Sequence, residues 1–279
     1  FNLKDAINPL FTLTKKKYIP LNFSSDHQKT IIISGPNSGG KTIVIKSIGL
    51  YSIMAQSGIH VPAKVAVVPI FNIFLSDIGD KQSLDDDLST FSAHMKKISE
   101  ITKTSNENSL VLIDEMGTGT DPEIGASLSI SVLNKLITNK SFNLCTTHLT
   151  PIKIWADENL DAENASMAFD DNNIKPTFIF RMGIPGSSYG IEIAQRMGLE
   201  SEIISDATNN LSNKSFQLEK LLSSINNEKR NLEEKLIYAN SLKVKLEDKE
   251  LRLNKLESEL TKNKKIISKN RESELRNEI

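Results

Sequence analysis

Cysteine occurs once in the 279 residues, at Cys145. One thiol can form neither an intrachain disulfide nor a cysteine metal cluster, and its place inside the apolar run "FNLCTT" assigns it to a core. Long hydrophobic runs are also missing. No stretch approaches the roughly 18 or more apolar residues of a membrane span, and the N-terminus lacks the basic-then-apolar order of a signal peptide. The expectation is a cytoplasmic protein with no membrane partner. Neither sign of charge dominates, since 34 Lys/Arg face 35 Asp/Glu. The balance is uneven along the chain: residues 214–279 carry 16 basic against 12 acidic side chains, leaving 18 against 23 for residues 1–213. So small a basic excess fits a solvated helix face better than a nucleic-acid surface. The chain opens on Phe1 and closes within a charged helical pattern, so both ends read as cuts within a longer protein.

Glycine and proline are absent from residue 212 onward, and this absence divides the chain. Between about residues 20 and 210, short apolar runs alternate with amphipathic stretches and Gly/Pro punctuation, the pattern of an α/β domain. Beyond it, Leu218, Leu222, Ile225, Lys229, Leu232, Leu236, Ala239, Lys243, Leu246, Glu250 and Leu253 recur in steps of four and three. That is a heptad seam and predicts a long coiled-coil arm, weakened at Lys243 and Glu250. The step from Leu253 to Leu256 shifts its phase. A single helix solvated on all sides is the alternative.

What is present is a phosphate-binding pattern. Gly35, Pro36, Asn37, Ser38, Gly39, Gly40, Lys41 and Thr42 fit G-x-x-x-x-G-K-[ST]. Such a loop wraps phosphate oxygens with its backbone N–H groups at a helix N-terminus. Lys41 is expected to reach the β- and γ-phosphates of ATP, and the Thr42 hydroxyl to ligate Mg²⁺. "TIIIS" supplies the preceding strand, and residues 42–56 a helix stopping at Gly58.

A nucleotide site also needs acids at a second strand end. "SLVLIDEMG" ends an apolar run in Asp114, expected to hold the metal through water, and Glu115, expected to orient or deprotonate the attacking water. A third run, "FNLCTT", leads to His148, a candidate γ-phosphate sensor on the same sheet edge. Ser89 and Thr90 open a predicted helix within "DIGDKQSLDDDLSTFSAHM". They read equally as plain N-caps or as groups facing a phosphate.

The ordered set "GPNSGGKT", "DIGDKQSLDDDLSTFSAHM", "LVLIDEMGTGTDP", "TTHL" and "PGSSYGIEIAQRMGL" resembles the MutS ATPase domain, a P-loop NTPase of the ATP-binding-cassette class. The run "DEMGTGTDPEIGASLS" is similar to the type-two MutS branch rather than to mismatch-recognising members, which carry a Gly-Arg-Gly-Thr-Ser pattern there. One departure is "AINPL", where Asn8 stands in place of a family histidine.

The resemblance implies an ATPase domain over residues 1–211, with a helix-turn-helix-like dimerisation element at about 186–207, followed by the coiled segment 212–279. It implies a homodimer with composite sites, in which Ser89 and Thr90 of one chain cap the γ-phosphate held by the other. It also implies action on branched DNA or recombination intermediates, on collided ribosomes, or on both. Clamp arms and a nuclease-like domain would lie outside these residues. Two alternatives remain at this point. A mismatch-repair ATPase would need an upstream reading domain, and a chromosome-structural cassette ATPase would carry a Leu-Ser-Gly-Gly signature where this chain has "STFS".

Overall fold

The apolar runs become the strands of a central sheet. The computed structural model describes residues 1–13, 18–36, 39–79, 90–170, 175–186, 190–210, 224, 228, 232, 235–236, 238–260 and 262–265. The chain divides into two units, Phe1–Ser223 and Ser224–Ile279.

In the first unit the order is β1 (Asn2–Ala6), α1 (Pro9–Leu13), β2 (Leu21–Ser24), β3 (Thr30–Ser34), α2 (Lys41–Gln56), β4 (Val65–Val67), β5 (Ile73–Asp77), α3 (Thr90–Thr104), β6 (Ser109–Ile113), α4 (Pro122–Thr138), β7 (Phe142–Thr146), α5 (Thr150–Glu158), β8 (Ala162–Asp170), β9 (Lys175–Met182), α6 (Gly190–Arg196) and α7 (Ser201–Asn210). The main sheet runs β5-β6-β7-β3-β8-β9, parallel except for β9, which pairs antiparallel with β8. A second, antiparallel sheet of order β2-β1-β4 is built from the N-terminal strands.

The central strands β3, β6 and β7 are buried at every position because both faces of the sheet are covered there. Alternate side chains feed two cores. Ile31, Ile33, Leu110, Leu112 and Leu144 pack with Val44, Ile45 and Ile48 of α2 and with Leu3 and Phe23 of the small sheet. Ile32, Val111, Ile113 and Cys145 point the other way, onto Ile101 of α3, Leu133 and Leu136 of α4, and Ile152 of α5. Cys145 is 1% exposed, and burial pushes its thiol pKa up to about 12. The lone cysteine is therefore core, as its apolar setting suggests.

The helix ends follow their local chemistry. Asp121 caps α4 by accepting from the N–H groups of Glu123 (2.9 Å) and Ile124 (3.2 Å), and Pro122 occupies the first turn, where no N–H is needed. Chain reversal after α2 places Gly58 at φ +73°, and the Ile59 N–H returns to the Met54 carbonyl at 2.9 Å. Near the end of the unit, α6 and α7 are joined by a turn with Gly198 at φ +90°.

In the second unit, residues 238–260 are helical. The described seam residues Leu232, Leu236, Leu246 and Leu253 are 59–66% exposed. The earlier seam positions Leu218, Leu222, Ile225 and Lys229 lie outside the described residues.

Candidate nucleotide site

The parallel topology brings the carboxyl ends of β3, β6 and β7 to one edge of the sheet. Because β7 lies between β3 and β6, the glycine-rich loop and the acidic turn flank the strand that leads to His148. After β3 the chain turns, with the Gly39 N–H on the Pro36 carbonyl at 2.9 Å. Gly35 (φ +125°) and Gly40 (φ +95°) hold backbone angles that side chains disfavour, and a Cβ on Gly39 would come within 3.2 Å of Met167. Gly40 caps α2 without any side-chain hydrogen bond. The first N–H groups of the 16-residue α2 thus have no side-chain cap, which suits an anion.

Lys41 is only 4% exposed, and its Nζ donates to the Gly35 carbonyl at 2.6 Å, curling back over the loop it belongs to. Burial pushes its pKa down, against the upward pull of Glu115 and Asp114. Thr42 Oγ1 donates to Asp114 Oδ2 at 2.7 Å, and Thr146 Oγ1 donates to Asp114 Oδ1 at 2.5 Å. Thr146 also accepts the Glu115 N–H at 2.7 Å, so one hydroxyl from the central strand fixes both acids. Glu115 itself has φ +50°, a left-handed conformation uncommon for a residue with a side chain. A strained turn of this kind is held by its surroundings and is a frequent mark of a functional site.

His148 is exposed by surface area. Desolvation by neighbouring atoms nevertheless lowers its pKa below the ordinary 6.5; Glu115 opposes this shift, while Lys41 and Lys153 add to it. From the far side, α3 leans on the acidic turn. His94 Nδ1 is 2.8 Å from Asp77 Oδ2, and the Asp77 carbonyl accepts the Asp114 N–H at 2.8 Å. Among the other expected site residues, Asn37, Ser38 and Ser89 lie outside the described residues, and Thr90 opens α3, its side chain likewise undescribed.

Beside the loop is a cavity of about 260 Å³ whose lining includes Gly40, Phe11, Tyr18, Ile43, Met167 and Phe178. Its walls are mainly apolar and aromatic, and Phe178 is held at φ +58° within β9. Asn8 belongs to the same wall. Its Nδ2 donates to Ser47 Oγ at 2.8 Å, and its Oδ1 accepts the Leu10 N–H at 3.0 Å. The asparagine thereby caps α1 and ties the N-terminal segment to α2.

The oxygen donors fit a hard divalent cation. Thr42 and Asp114 offer a hydroxyl and a carboxylate, and among the described residues there is no group of three His, Cys, Asp or Glu able to hold a metal alone. Mg²⁺ is typically bound in this way, through one or two protein oxygens completed by phosphate and water.

The MutS domain V family model matches residues 31–215. The chain belongs to the MutS family. Endonuclease MutS2 of Finegoldia magna is 44% identical over 227 residues, covering 81% of this chain and 29% of that protein. Endonuclease MutS2 of Thermotoga maritima is 40% identical over 225 residues (80% and 30%), and that of Clostridium botulinum, strain Okra, 42% over 215 residues (76% and 27%). The type-two branch is thus the right one, and the domain is a P-loop ATPase domain that binds nucleotide. The chain spans under a third of the length of these MutS relatives. No described helix is long and apolar enough to cross a membrane.

Four residues at or beside this MutS site escape a reading of the sequence. Thr146 is an ordinary strand threonine until β7 is placed between β3 and β6. Tyr18 and Phe178 reach one cavity from the N-terminal segment and from β9. Lys153 has no motif.

Proposed function

We propose that residues 1–211 form the ATP-hydrolysing domain of a dimeric, cytoplasmic type-two MutS clamp, and residues 212–279 a coiled-coil arm. The observation that carries this reading is the 2.7 Å contact of Thr42 with Asp114, which joins the phosphate loop to the acidic turn beside Glu115. The Gly35–Thr42 loop wraps the phosphates, and Lys41 exchanges the Gly35 carbonyl for β- and γ-phosphate oxygens. Thr42 and Asp114 hold Mg²⁺, which when bound neutralises charge on the phosphates. Glu115 orients or deprotonates the attacking water, and a neutral His148 contacts the γ-phosphate. The apolar cavity takes the adenine, stacked by Tyr18 and Phe178.

Ser89 and Thr90 cap the γ-phosphate of the partner chain, so nucleotide state sets whether the dimer is closed. DNA, a ribosome, or both are gripped by regions mostly outside these residues. The nuclease activity in the relatives' name is assigned there as well.

The test separates binding from chemistry. Glu115→Gln should bind ATP as the unmodified chain does and lower turnover by about a hundredfold or more. Fluorescence titration alongside phosphate release reads both quantities, and normal turnover removes Glu115 from the catalytic role. The shared site is tested by mixing Lys41→Ala with Ser89→Arg chains, each inactive as its own homodimer. Mixed dimers hold one intact site and should regain about half the activity per dimer. No recovery despite confirmed heterodimers means that Ser89 acts within its own chain or that the two sites must fire together.

A further inference from the structure

Lys153 is a lysine in the wrong place for a surface cation. It lies on α5, is 1% exposed, and donates from Nζ to the Gly186 carbonyl at 2.8 Å. Burying an ammonium is costly unless it is paired. The segment it holds, residues 183–186, is pinned at both ends. The Gly183 N–H donates to the Asn164 carbonyl at 2.6 Å, and the Gly186 N–H donates to Ser34 Oγ at 2.7 Å. Ser34 is the last residue of β3, and Gly35 opens the phosphate loop. Gly186 lies so close above them that a Cβ added to it would fall 2.7 Å from the Gly35 nitrogen and 2.8 Å from its Cα. The carbonyl of Gly35 itself accepts Lys41 Nζ at 2.6 Å. The backbone at Gly35 is therefore held between two buried lysines, directly by Lys41 and through Gly186 by Lys153.

We propose that Lys153 is a positioning residue for nucleotide binding. Through the Gly186 carbonyl it clamps residues 183–186 onto Gly35, fixes the backbone angle at which the phosphate loop opens, and links loop occupancy to α6, which begins four residues on. The inference rests on the ATPase reading above. When ATP draws Lys41 off the Gly35 carbonyl, the clamp from Lys153 still bears on Gly35. Loss of the clamp lets the loop relax and weakens ATP binding, while Glu115 and its strand-end partners stay in place. The signature is a change in KM rather than in kcat.

The decisive variant is Lys153→Met, which removes the ammonium at nearly constant length. In the full chain we expect KM for ATP to rise about fivefold or more, with kcat within about twofold. Hydrogen exchange adds a reading that packing alone would not move. ATP should slow exchange at residues 183–186 and 190–196 in the unmodified chain and leave it unchanged in Lys153→Met. Gly186→Ala, whose new methyl would press on Gly35, should reproduce the KM increase, and it carries the test if Lys153→Met fails to fold. The double variant should lose little more than either single one, since both break the same clamp. A folded Lys153→Met with unchanged KM and unchanged ATP-dependent exchange overturns the proposal. Failure of the unmodified chain to bind or hydrolyse ATP would instead overturn the ATPase reading, so the two failures are distinct.

Discussion

Two regions of the molecule use the same device and differ in how they announce it. At the end of β3, Lys41 donates to the Gly35 carbonyl; at α5, Lys153 donates to the Gly186 carbonyl; and the two glycines lie against each other. Both lysines are almost fully buried. Lys41 belongs to a contiguous eight-residue pattern whose chemistry is fixed by its neighbours in sequence. Lys153 acquires its role through contacts that include a Ser34–Gly186 bond spanning 152 positions. The difference teaches that a phosphate loop has a written half and an assembled half.

The comparison breaks most sharply at Lys41. Replacing it with Ala removes the cation that meets the phosphates, and ATP affinity should fall about ten- to a hundredfold, more than for any Lys153 variant. Equal losses at the two lysines, read by nucleotide titration, would mean that Lys153 touches phosphate itself.

A smaller effect sharpens the electrostatic side. His148 should titrate below 6.5, because desolvation outweighs the pull of Glu115. Lys153→Met and Lys41→Ala should each raise that midpoint, since both cations push it down. Imidazole resonances followed by NMR across pH 4–8 measure the shift. The sign follows from proton linkage: the unfolded chain binds more protons in this window, so the His148 contribution to stability is full above about 6.5 and is lost as pH falls through the folded value. A midpoint above 6.5 would place His148 in a carboxylate-dominated site.

The smallest effect on the nucleotide is expected from the tail. Deleting residues 212–279 should leave ATP affinity within about twofold and lower self-association, because the exposed leucines at 232, 236, 246 and 253 need a partner helix to bury them. Sedimentation showing one oligomeric state with and without the tail would make the second unit a solvated helix.

The legible part of the fold was the part encoded locally. "TIIIS", "SLVLI" and "FNLCT" are strands because each is a short apolar run bounded by turn residues, and each leads to the glycine-rich loop, the acidic turn or His148. What could not be read was the lateral order. Nothing in the three runs says that the strand of His148 stands between the other two, and Thr146 owes its contact with Asp114 to that order alone. The cavity was hidden for a similar reason: Asn8, Tyr18 and Phe178 come from opposite ends of the first unit and are unremarkable in their own neighbourhoods. Asn8 is an instructive middle case. Its departure from the family histidine was visible, yet its work as a cap and a tie to Ser47 needed the structure.

The solitary thiol in the middle of β7 gives this chain a practical property. Cys145 is shielded on both faces of the sheet and ionises only near pH 12, so alkylating dyes will pass it by while the protein stays folded. A single cysteine introduced at exposed Met197, or at Leu253 in the second unit, would then be the one reactive thiol. Pairs of such labels would turn the proposed opening and closing of a dimer into a distance that can be watched one molecule at a time.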